Sequence, residues 1–173
     1  VNSSAGGLVG KAESKMDADS VVYEGNNTIK GSAATGGAVG KTGNGEQKFQ
    51  NFEFAGVMNV STNAAKEAVG GLIGYSGGIT SVKNVKVTGK LFVSGTGSTT
   101  DNSGIHNAAG GVIGYVLASA TLDDFTLGEN AEMMVTSTDF QAGGLIGIAN
   151  ATTKINQVVN DKAIISGKLT VSG

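Results

Sequence analysis

The sequence predicts an all-β fold, a right-handed parallel β-helix (β-solenoid) of about five turns with roughly three short strands per turn, and three observations carry that expectation. A five-residue block recurs along the whole chain: GGLVG at 6–10, GGAVG at 36–40, GGLIG at 70–74, GGVIG at 110–114 and GGLIG at 143–147. Successive starts lie 30, 34, 40 and 33 residues apart, the scale on which solenoids repeat. From the first glycine of each block to an apolar residue in the next segment, the count is 15 (Gly6 to Val21), 16 (Gly36 to Phe52), 15 (Gly70 to Val85), 15 (Gly110 to Phe125) and 15 (Gly143 to Val158). Finally, Val85 and Val87, Phe52 and Phe54, and Phe125 and Leu127 flank Lys86, Glu53 and Thr126, the period-2 alternation of a half-buried strand. The chain therefore reads as one domain, 1–173, of five GGxxG-headed repeats starting near 6, 36, 70, 110 and 143.

The opening block forms the first side of each turn. Its paired glycines suit positions where φ is positive or where two backbones pass closely. The second side comprises DSVVYEG, FQNFEFAG, VKNVKVTG, LDDFTLGE and INQVVNDK. Extending its alternation backwards would turn Val82 and Phe49 outwards, so a one-residue bend at Asn84 and Asn51 is needed to keep both halves apolar inside. The bend column is Ser20, Asn51, Asn84, Asp124 and Gln157, polar in every copy. Stacked turns place such residues ~4.8 Å apart, where amides can hydrogen-bond in a ladder and asparagine accepts the bent backbone. A structural ladder, not a metal or catalytic row, is the expected role. The third side is Thr28–Lys30, Val57–Val60, Lys90–Ser94, Glu132–Thr136 and Ala163–Ser166, with Lys168–Val171 a second candidate in the last copy. Length variation falls after the second side, chiefly at 94–109, so one corner carries the long loops.

Composition excludes several classes. Among 173 residues there are 29 glycines, no proline, no cysteine and no tryptophan. Without cysteine there is no disulfide, zinc-thiolate or iron–sulfur chemistry. Proline would remove a ladder donor inside a sheet, which accounts for its absence. The net charge is −2 and every basic residue is lysine, so the basic, arginine-bearing face of a nucleic-acid binder is missing. No apolar run approaches the ~18 residues of a membrane-spanning helix.

The string GGLIGYSGGITSVKNVKVTGKLFVSG (70–95) resembles the GLUG motif, a glycine-rich repeat of bacterial surface proteins: a GGLVG block, a spacer, an I-x-N-x block and a G-x-V-x-G close. All five copies match the first block and the spacing, and the last departs at its closing glycine, where Lys162 stands. The resemblance implies an exported, surface-attached or secreted protein of adhesin type. It carries over no catalytic residues, because the motif's glycines and valines are architectural.

Chemical candidates are few, and no cofactor is expected. His106 is the sole histidine and lies in the long loop, so no Ser-His-Asp array is expected. Asp123 and Asp124 resemble a glycosidase carboxylate pair, but neighbouring strand residues diverge. Calcium could be held in loops by Asp101 with Asn102 or Asn44 with Glu46, although the calcium-binding nonapeptide is absent. Tyr75 and Tyr115 follow the GGxIG block in adjacent copies and would stack as a contact platform for a sugar ring or a partner's apolar side chain; the plainer expectation is that they cover the glycine-rich face. Neither end carries a polar cap, so the partners expected are neighbouring repeats or identical subunits stacking end to end, with a host or matrix glycan or protein next. The functional expectation is a non-enzymatic extracellular structural or adhesive module, then a self-stacking fibre subunit, then a glycan-binding β-helix.

Overall fold

The computed structural model describes residues 3–63, 67–96, 108–138, 141–156 and 164–173, and every regular element among them is a strand. The first coil comprises β1 (Ala5–Gly6), β2 (Val9–Ala12), β3 (Met16–Tyr23) and β4 (Asn26–Gly31). The second has β5 (Thr35–Gly36), β6 (Val39–Thr42), β7 (Gln47–Phe54) and β8 (Val57–Thr62), and the third β9 (Val69–Gly70), β10 (Ile73–Ser76), β11 (Thr80–Val87) and β12 (Lys90–Gly95). The fourth has β13 (Ala108–Gly110), β14 (Ile113–Val116), β15 (Ala120–Leu127) and β16 (Glu132–Ser137). The fifth has β17 (Gln141–Gly143), β18 (Ile146–Ala149), β19 (Thr153–Asn156), β20 (Ile164–Ile165) and β21 (Lys168–Ser172).

Equivalent strands pair in parallel across the coils, giving the sheets β1-β5-β9-β13-β17, β2-β6-β10-β14-β18, β3-β7-β11-β15-β19 and β4-β8-β12-β16-β21. Five stacked strands are separated by four steps, so the solenoid makes about four turns, with about 19 Å between its outermost coils. Each coil has four sides rather than the three expected, the third being split into β19 and β20 in the fifth coil. The difference lies in the opening block, which reads as one segment but is cut in two by a corner after the glycine pair. At that corner two successive N–H groups converge on one carbonyl of the next coil. Ala38 and Val39 donate to Leu72 O at 2.9 and 3.0 Å, and Leu72 and Ile73 donate to Val112 O at 2.9 and 3.0 Å. Such a fork turns the backbone without leaving a buried amide unpaired.

The glycine pairs serve close approach rather than positive φ. Among the described residues, Gly25 is the one glycine in the left-handed region, at 69°. By contrast, a Cβ on Gly71 would run into the Gly111 carbonyl oxygen of the next coil, and one on Gly74, which closes the block, would sit 2.5 Å from Gly40 O and 2.6 Å from Thr35 N.

The core is a set of inward columns running along the stack. Phe49, Val82 and Leu122 form one, Phe52, Val85 and Phe125 another, and Met58, Leu91 and Met133 a third, all essentially inaccessible to solvent. Each such side chain contributes about 1.5–3 kcal/mol by leaving water. In the fifth coil the inward residues Ile155, Ile165 and Val171 remain 51%, 47% and 42% exposed.

That coil also breaks the expected spacing. Asp123 pairs with Asn156, whereas Thr126 pairs with Ile164, so five extra residues enter between the two halves of this side. Ile164–Ile165 accordingly completes the second side, and Lys168–Ser172 supplies the closing strand against β16. Val158 lies outside the described residues.

Candidate functional site

The bend column is a row of single left-handed residues. Ser20, Asn51, Asn84 and Asp124 have φ of 59°, 57°, 54° and 58°. Backbone pairing skips them: Lys83 is opposite Gln50 and Val85 opposite Phe52, with Asn84 and Asn51 passed over. One residue out of the pleat inverts the in–out alternation, which is how Val82 and Val85 both face the core while Lys83 and Lys86 face water. Gln157 lies outside the described residues.

The side chains of this column connect adjacent coils, though not in one continuous row. Asn84 Nδ2 donates to Asn51 Oδ1 at 2.7 Å, and Asn51 Nδ2 donates to Asp19 Oδ1 at 2.8 Å. Ser20 is too short to span a coil, and its hydroxyl bonds the neighbouring Asp19 Oδ1 at 2.9 Å instead. Asp19, which lies outside the bend column predicted from the sequence, therefore terminates the ladder and also accepts from Gln50 Nε2 at 2.7 Å. The amide of Asn51, then the Ser20 hydroxyl and the Gln50 amide, hold the Asp19 carboxyl below its ordinary 3.8, because each donor favours the charged form. The usable signal was an acidic residue beside the one bend position occupied by serine.

Beside the bends lies a surface groove of about 280 Å³, lined by Ser20, Val22, Asn51, Glu53, Asn84 and Lys86. Glu53 Oε1 accepts from Thr88 Oγ1 at 2.7 Å, so much of its polar wall is committed to other coils. Asp123 does the same, accepting from Asn156 Nδ2 at 2.9 Å, while Asp124 is buried at 6% exposure. Among the described residues no three His, Cys, Asp or Glu side chains gather as a cation cluster. His106, Asp101 and Asn102 lie outside those residues.

The tyrosines occupy one register position, Tyr75 opposite Tyr115, with Lys41 below and Ile148 above. Their rings stack at 5.3 Å with planes 6° apart, and the Lys41 ammonium sits 4.5 Å from the Tyr75 centroid. Pairing order puts Lys41 and Tyr115 on opposite faces of Tyr75, and Tyr115 itself is fully buried. Both ring faces of Tyr75 are thus occupied, which leaves the pair closed as a platform for a sugar. Burial pushes both hydroxyls up from their ordinary 10.0. A second aromatic stack is internal: Tyr23 lies 5.4 Å from Phe54 and donates to Gly37 O at 3.0 Å. Burial pushes the Tyr23 hydroxyl up to about 12.

On the closing sheet, Glu132 Oε1 takes a 2.9 Å contact from Lys168 Nζ, and its other oxygen lies 3.8 Å from Lys90 Nζ. The hydrogen bond from Lys168 holds its carboxyl below 4.5. Among the described residues no helix is long and apolar enough to cross a membrane.

No curated protein and no solved structure matches the chain. The family model of the GLUG motif matches residues 67–91, a stretch that contains the Gly70–Gly74 block, the Asn84 bend and the start of β12. The chain is a β-solenoid that carries a GLUG motif in the third of its five stacked coils.

Proposed function

We propose that this chain is a non-enzymatic, extracellular structural and adhesive module of a bacterial cell-surface protein. The observation that carries the proposal is the parallel pairing of equivalent strands from all five coils into four sheets. Such a body transmits load along its axis through many hydrogen bonds and presents its outward loops at fixed spacing. Asn51 and Asn84 of the bend column, and Asp123 beside it, are engaged in inter-coil bonds, which supports a scaffold over a catalyst. The GLUG motif supports the cell-surface setting by resemblance.

Antibody labelling of intact source cells tests the setting. Labelling without permeabilisation is expected, and labelling that appears only after permeabilisation overturns it. A second reading, a self-stacking fibre subunit, is favoured by the half-exposed inward residues Ile155, Ile165 and Val171, since another coil would cover them. Negative-stain microscopy separates the two: uniform filaments of purified chain favour the fibre, and short single particles favour the module.

A further inference from the structure

The first long corner of the second coil is one residue longer than its neighbours. Thr42 is level with Ala12 and Gln47 with Met16, so residues 43–46 occupy a corner that the first coil crosses with 13–15. Ser76 to Thr80, Val116 to Ala120 and Ala149 to Thr153 likewise enclose three residues each. Gly43 N donates to Ala12 O at 2.7 Å, and Glu46 O accepts from Met16 N at 3.3 Å. Both ends of the corner therefore stay in the stack, and the surplus falls on Asn44 and Gly45.

That pair is the sole Asn-Gly dipeptide of the chain. Asn44 is exposed, and neither its side chain nor the Gly45 N–H has a hydrogen-bond partner among the described residues. Gly45 O is held by Gln47 Nε2 at 2.9 Å. The corner thus leaves a free amide nitrogen, with no following Cβ to shield it, next to a free carboxamide in contact with water.

We infer that Asn44 is a self-modification site that deamidates through a cyclic imide with Gly45. The Gly45 nitrogen, having lost its proton, attacks Asn44 Cγ. The new C–N bond closes a succinimide, and the carboxamide nitrogen leaves with a proton as ammonia. Water then opens the ring at either carbonyl, giving aspartate or, when the backbone carbonyl is attacked, isoaspartate. No oxidant, reductant or enzyme is required. The product carries one more negative charge on the rim of a groove of about 350 Å³ lined by Lys11, Glu13, Lys41, Asn44 and Tyr75, among others. Lys11 is already paired with Glu13 at 2.5 Å, whereas Lys41 makes no ion pair among the described residues. A carboxylate at position 44 would be a counter-charge for it.

The test is peptide mass mapping of the purified, folded chain during incubation in mildly alkaline buffer, with a denatured sample alongside. The Asn44 peptide is expected to convert ahead of every other asparagine peptide in the folded chain. Isoaspartate should exceed aspartate, and the rate should rise with pH because the attacking nitrogen must be deprotonated. An Asn44 that keeps its amide when folded while converting in denaturant overturns the inference. Isoelectric focusing should show a step of one acidic charge that is lost in Asn44→Gln with circular dichroism unchanged; an acidic step that persists in that variant also overturns it.

Discussion

The glycine corner and the asparagine bend both let a coil change direction, by opposite means. At the corner the chain removes side chains, so that Gly74 comes within reach of Gly40 and Thr35 in the preceding coil. At the bend it keeps side chains, and Asn84 and Asn51 adopt the left-handed conformation and bond across the coils. A position defined by missing volume tolerates no addition. A position defined by backbone conformation tolerates any residue that can adopt it.

The largest test of that contrast is Gly74→Val, whose added carbons have only backbone to displace. A loss of about 4 kcal/mol or more is expected, read as failure to fold or a collapsed urea midpoint. At the bend, Asn84→Val should cost about 2–3 kcal/mol, from a β-branched residue in the left-handed region and a lost hydrogen bond. Equal losses at the two sites would remove the distinction. Tyr23→Phe, which unties the core from the glycine corner, should cost about 1 kcal/mol. It should also remove an alkaline limb. Because the folded state holds the Tyr23 proton more tightly, its contribution is intact below the ordinary 10.0 and lost as pH rises through about 12. Asn84→Gly should cost about 1 kcal/mol or less, the lost hydrogen bond to Asn51 alone, since glycine adopts the bend at no steric cost.

The smallest effect is at acid pH. Asp19 has a lowered pKa, so its contribution is present above 3.8 and lost as pH falls through the folded value. Asn51→Ala removes the largest cause of that shift and should move the acid-unfolding midpoint slightly upward. A midpoint unmoved by that change would show that the carboxylate is held by Ser20 and Gln50 alone.

What could be read in advance follows the same division. The bend was legible because inverted alternation around Asn51 and Asn84 is visible in the residue pattern. The corner within GGLIG was hidden, because a change of direction made by absent side chains leaves no periodic trace, and three strands were expected where there are four. The spacing from Gly143 departs from the pattern because Asp123 and Thr126 define their partners only through pairing, and no apolar count reveals that Asn156 and Ile164 are five residues further apart in sequence than Asp123 and Thr126. Asp19 escaped notice because its role depends on the shortness of Ser20. The closing of the tyrosine stack depends on burial of Tyr115, which pairing alone does not convey.

The left-handed residue in each long strand also acts as a proofreading mark during folding. A parallel strand added one residue out of step would bring Lys83 or Val85 level with Asn51 and Asp124, and the offset strand would carry its bend beside an unbent neighbour. Both errors cost free energy at once, through backbone strain and through apolar side chains turned to water. Each completed coil is therefore a template that recognises the alignment of the next, so the growing stack can extend without accumulating slippage.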